Sequence, residues 1–142
     1  MKPTYINVNY HYGDGKHFNE SLENGFIGIP DKTHTKGKRI FEKASSQKPL
    51  YGTITDISSG KVIGIFTTFS GAFHGSSDPF TGDPKAPNEH WGHRIFAGIT
   101  VRYDKKMSIN EFRALGGVVN RGSVNIISKE VWNKARDFFT SP

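Results

Sequence analysis

Thr4 to Tyr10 reads TYINVNY, with Ile6, Val8 and Tyr10 at every second position, the period of a half-buried strand. Tyr12-Gly13-Asp14-Gly15 breaks that run. His17 to Asn24 predicts a short helix, closed by Asn24-Gly25 as a left-handed cap. Phe26 to Ile29 predicts a short buried strand stopped by Pro30, and Ile40, Phe41 and Ala44 predict a helical turn within Lys38 to Ser45, ended by Pro49. Leu50 to Ile57 and Lys61 to Phe69 are β-rich runs joined by Ser58-Ser59-Gly60, a hairpin connection. Arg94 to Tyr103 predicts another long strand. Ser108 opens a helix with Glu111 at capping-box spacing, and Gly116-Gly117 ends it. Val118-Val119 and Val124 to Ile127 predict short strands around Asn120-Arg121-Gly122-Ser123. Ser128 caps a final helix in which Val131, Ala135 and Phe138 share one face.

Together these elements predict an α+β fold: about six short, mostly antiparallel strands in a strongly curved sheet or small β-barrel, with helices packed outside. No repeat or linker divides the chain, so residues 1–142 are expected to form one domain. Only 35% of the residues are hydrophobic, but aromatics make up 13%, and each ring buries a large area. That aromatic content excludes a wholly disordered chain. The longest apolar runs are too short for a membrane span. No cysteine is present, which excludes disulfides, thiolate metal sites and cysteine nucleophiles. The opening MKPTYINVNY lacks the apolar stretch of a signal peptide, so a cytoplasmic location is expected.

Lys and Arg outnumber Asp and Glu by 19 to 13, a net charge of +6. Lys32, Lys36, Lys38, Arg39, Lys43 and Lys48 lie within seventeen residues, opposed there only by Glu42. Such a face either keeps the domain soluble or meets a polyanion, where it supplies salt-dependent affinity without choosing a base.

Between two predicted strands, Ser70 to His93 reads as a long loop, SGAFHGSSDPFTGDPKAPNEHWGH. Phe73, Phe80 and Trp91 either fold back on the core or line a pocket. His74, Asp78, Asp83, Glu89, His90 and His93 raise the question of a metal. His90 and His93 share a face only on a helix, however, and the prolines and Gly92 oppose one. No HExxH spacing, P-loop, dinucleotide fingerprint or nucleophile elbow occurs. The expectation is a chain without catalytic residues, metal ligands or cofactor.

In order, TYINVNY, LENGFIGIP, KGKRIFEKASSQKPLYGTITDISSGKVIGIFTTF, EHWGHRIFAGITVRY, MSINEFR and VVNRGSVNIISKEVWNKARDFF resemble the successive parts of the PUA-like superfamily, in its EVE and YTH branches. The resemblance implies a non-catalytic reader that accepts a flipped or single-stranded modified base in an aromatic pocket. N6-methyladenine is the first expectation and 5-methylcytosine the second. It implies modified DNA or RNA as partner, no membrane, and a separate effector protein, as in modification-dependent restriction systems. Trp91 matches a cage tryptophan, and Phe80 or Phe73 stands where a second aromatic would come from the same loop. The first cage tryptophan falls at Ile27, or at Phe26 with a slip of one, a departure that removes a stacking ring. Asn9, Tyr10 and His11 occupy the polar region after the first strand. Asn120, Arg121 and Ser123 occupy the later turn, near the pocket or the phosphates. Lys36, Lys38, Arg39 and Arg94 are the remaining candidates for the nucleic-acid backbone. Three other readings stand beside this one: a general RNA-binding module without modification preference, a small-molecule or metal enzyme using the His-rich loop, and a protein-interaction domain for an acidic partner.

Overall fold

The computed structural model describes residues 3–11, 16–75 and 91–142. Along the chain run β1 (Thr4–Tyr10), α1 (Lys16–Asn24), β2 (Phe26–Ile29), α2 (Thr35–Glu42), β3 (Leu50–Asp56), β4 (Lys61–His74), β5 (His93–Val101), β6 (Met107–Ser108), α3 (Ile109–Ala114), β7 (Val124–Ile126) and α4 (Lys129–Thr140). The strands form one curled half-barrel sheet in the order β2-β5-β4-β3-β1-β7, with β6 on β4. Among the described residues every ladder is antiparallel except β1 with β3, where Ile6 faces Gly52 and Val8 faces Ile54.

Alternation along the strands sorts side chains onto two faces. Ile6, Val8, Ile27, Ile29, Ile54, Phe66 and Ile95 pack under Phe18 of α1 and Phe41 of α2. On the other face, Val62, Ile65 and Met107 pack against Phe112 of α3 and against Val131, Trp132, Ala135 and Phe139 of α4. Trp132 also donates its Nε1 hydrogen to the Gly52 carbonyl at 3.0 Å, which anchors α4 to β3.

Most local signals describe this architecture well. Gly25 sits at φ +69°, a region that favours glycine, and closes α1 as the sequence indicates. Both bonds of the Ser108–Glu111 capping box are present, and Ser128 caps α4 through Val131 N.

Four expectations are corrected. α2 starts at Thr35 instead of Lys38, because His34 Nδ1 accepts from Gly37 N and supplies the cap three residues early. Val118-Val119 is not a strand: Val119 is buried against the α3–α4 cluster and its carbonyl is taken by the Arg113 guanidinium. The inner face of α4 carries Trp132 and Phe139, while Phe138 is only half-buried. β4 continues to His74, pairing with β5 past a register shift between Thr68 and Ala72, so both ends of the expected loop are strand. Asp78, Phe80, Asp83, Glu89 and His90 lie outside the described residues.

Candidate nucleic-acid interface

Beyond the C-terminal end of β1 opens a cleft of about 1050 Å³. Asn9, His11 and Trp91 line it together with Asn120, Arg121 and Ser123. All six are residues that the sequence points to as base or backbone contacts. The structure therefore joins the end of the first strand, the end of the long connection and the late turn around one space.

A buried polar ladder fixes that geometry. Asn7 is fully buried, and its Oδ1 accepts from Thr53 Oγ1 at 2.8 Å and Thr55 Oγ1 at 2.7 Å. Its Nδ2 donates to Asn9 Oδ1 at 2.8 Å. Asn9 Nδ2 in turn donates to the carbonyls of Asn120 at 3.0 Å and Gly122 at 2.8 Å. Buried polar groups with these partners hold a single arrangement, because breaking any bond strands a donor away from water. Asn9 thus positions the 120–123 turn, and its amide hydrogens are committed to that task instead of to a base edge. Gly122 adopts φ +96°, and a Cβ there would sit 2.8 Å from His34 Cδ2, so the turn closes directly on the loop after β2.

Trp91 has two roles at once. It lines the cleft with only 2% of its surface exposed, while Tyr10 stacks on it at 5.5 Å and 11°. Tyr10 is not a cleft residue but the support behind that wall, with its hydroxyl accepting from Gly28 N at 3.1 Å. Burial pushes its phenol up to about 12, although the Gly28 amide, the Ser21 hydroxyl and the Arg94 charge all favour the ionised form.

Four other expected contacts fall elsewhere. Ile27 is fully buried in the core, paired with Ile95, and does not reach the cleft. Phe26 is buried beneath the Arg94 guanidinium, 4.5 Å from its ring centre. Arg94 is itself 6% exposed: it donates Nε to the Trp91 carbonyl at 2.9 Å and lies 3.5 Å from Glu20, so it braces Trp91 instead of meeting phosphates. Phe73 stacks on Phe96 at 4.6 Å, outside the cleft lining.

The basic residues divide. Lys36 and Arg39 line a second, smaller groove of about 570 Å³ with Lys43 and Lys48, beside Ile40, Leu50 and Ile126. Lys38 instead reaches the Asp31 carbonyl at 3.3 Å. The sequence reading missed Thr33, His34 and Arg113, which also line the main cleft. A polar stretch directly after a buried strand, Asp31 to His34, was the available signal.

No protein-family model and no curated protein matches the chain. Solved structures do. The YTH domain of Zygosaccharomyces rouxii MRB1, in complex with N6-methyladenosine RNA, superposes with a TM-score of 0.63 at 12% identity, over 98% of this chain and 88% of that one. The Pho92 YTH domain in complex with m6A gives 0.66 at 12%, over 98% and 84%. The Mmi1 YTH domain complex with RNA gives 0.56 at 12%, over 97% and 78%. The chain shares the α+β fold of these YTH domains.

Proposed function

We propose that this chain is a non-catalytic nucleic-acid-binding domain that takes a flipped or single-stranded modified base, N6-methyladenine first, into the cleft beside Trp91. The observation that carries the reading is the convergence of Trp91, His11, Asn120, Arg121 and Ser123 on one cleft, in a fold shared with YTH domains solved with N6-methyladenosine RNA. RNA is the favoured polymer for the same reason. His11 and Trp91 offer ring surfaces for the base, Asn120 and Ser123 polar groups for its edge, and Arg121 a charge for the backbone. The second groove, with Lys36, Arg39, Lys43 and Lys48, adds a path for flanking phosphates.

A second reading, a general RNA binder without modification preference, has a specific observation behind it. Among the described residues the cleft has a single tryptophan wall, one face of it covered by Tyr10, and Ile27 gives it no opposing ring. Titration of short RNAs with adenine or N6-methyladenine at one position separates the two. Burying one methyl contributes about 0.8 kcal/mol, so the modified strand should bind about fourfold more tightly. Equal affinities would leave the general binder, and affinities unchanged between low and high salt would exclude both.

A further inference from the structure

Asp31, His74 and His93 come from three separate parts of the chain, and the sheet sets them side by side. β5 lies between β2 and β4. His74 and His93 are direct cross-strand partners, and Ile29, two residues before Asp31, is the partner of His93 on the other side. The two imidazoles meet edge to face with ring centres 5.5 Å apart. Both turn Nε2 toward the same oxygen: Asp31 Oδ1 lies 3.2 Å from His74 Nε2 and 3.7 Å from His93 Nε2. All three ligand atoms lie within 4.8 Å of one another.

Those separations have a chemical meaning. Zinc binds imidazole nitrogen and carboxylate oxygen at about 2.0–2.2 Å, which places neighbouring ligands of a tetrahedral ion about 3.4 Å apart. The two Asp31–His separations straddle that distance, so an ion between them requires shifts of a few tenths of an ångström at those contacts. The donor set, two neutral imidazoles and one carboxylate, suits a borderline divalent transition metal and not a hard cation such as Mg²⁺, which prefers oxygen throughout. The side chains of Asp31, His74 and His93 are 37%, 58% and 21% exposed, so an ion can enter from solvent.

We propose that Asp31, His74 and His93 bind one divalent transition-metal ion of the zinc class, which ties β2, β4 and β5 together beside the cleft. Asp31 Oδ1 also accepts from Gly92 N at 3.2 Å, next to Trp91, so the ion would brace the tryptophan wall from behind. Three protein ligands leave a coordination position for water. Linear spacing gave no hint of this set, because His74 and His93 are neighbours only through strand register.

The test is a calorimetric titration of the metal-stripped, untagged chain with Zn²⁺, repeated with Co²⁺ while the visible absorption is followed. One equivalent should bind, Co²⁺ should develop the visible bands of a low-coordinate nitrogen–oxygen site, and Zn²⁺ should raise the melting temperature. His93→Ala and His74→Ala should each weaken uptake by more than about tenfold. Should either fail to fold, Asp31→Asn serves instead: its side-chain oxygen still accepts from Gly92 N, yet it is a poor metal ligand. Uptake that does not saturate at one equivalent, or that is the same in the parent and in Asp31→Asn, would overturn the proposal and leave a hydrogen-bonded Asp–His cluster. Nucleic-acid binding is not read in this experiment, so its result is independent of the reader function.

Discussion

The two grooves of this domain are built on opposite principles. The cleft beside Trp91 rests on a closed set of internal bonds, from Thr53 and Thr55 through Asn7 and Asn9 to the 120–123 turn, so its shape is fixed before any ligand arrives. The groove along α2 is lined by the long cationic chains of Lys36, Arg39, Lys43 and Lys48 over an apolar floor, and none of those charges has a carboxylate partner among the described residues. Preorganised polar geometry discriminates between ligands; flexible surface charge attracts them without discrimination. Substitutions in the first groove should therefore disturb fold and selectivity together. In the second they should change affinity alone.

The hardest blow to the comparison is Trp91→Ala. A tryptophan 2% exposed and stacked on Tyr10 should cost about 3–5 kcal/mol of stability when truncated, measured by urea unfolding, and the preference for a modified strand should fall as well. A variant that melts like the parent would remove Trp91 from the frame of the cleft. Next comes its support. The fold favours the protonated Tyr10 phenol, whose value is raised from 10.0 to about 12. That stability is complete below pH 10 and declines as pH rises toward 12, by about 3 kcal/mol in total. Urea midpoints across this range should show the decline, and Tyr10→Phe should flatten it. Asn9→Ala then tests the turn. Losing the donor shared by the Asn120 and Gly122 carbonyls should cost about 2 kcal/mol. Hydrogen exchange should quicken around residues 120–125 and not along α2. The smallest effect on the fold belongs to the second groove. Lys36→Glu with Arg39→Glu should leave stability within about 0.5 kcal/mol, while the slope of log affinity against log salt drops by about two. Loss of methyl preference in that double variant would erase the distinction between the grooves.

Features decided over a few residues were legible in the sequence. The alternation in Thr4–Tyr10, the Gly25 cap and the Ser108–Glu111 box all depend on near neighbours. Non-local decisions were not, and neither was one local decision made by an unusual residue. The start of α2 depended on a histidine ring nitrogen acting as a cap, outside the usual Ser, Thr, Asp and Asn. Arg94 looked like a surface cation because nothing nearby in sequence announced the Phe26 ring and the Glu20 carboxylate that meet it. The turn at 120–123 lines the cleft, but the role of Asn9 as its anchor depends on a contact spanning 113 residues.

That span has a consequence during synthesis. β1 leaves the ribosome long before β7, its antiparallel neighbour, exists. At about 5–20 residues per second, the amide of Asn9 waits on the order of ten seconds for the carbonyls that complete it. Until Val124 to Ile126 emerge, β1 can pair with β3 on one side only, and its other edge can template a strand from another chain. Translation products that stop just short of Val124 would contain nearly every residue of the cleft and still carry an open β1 edge on which one chain can pair with another.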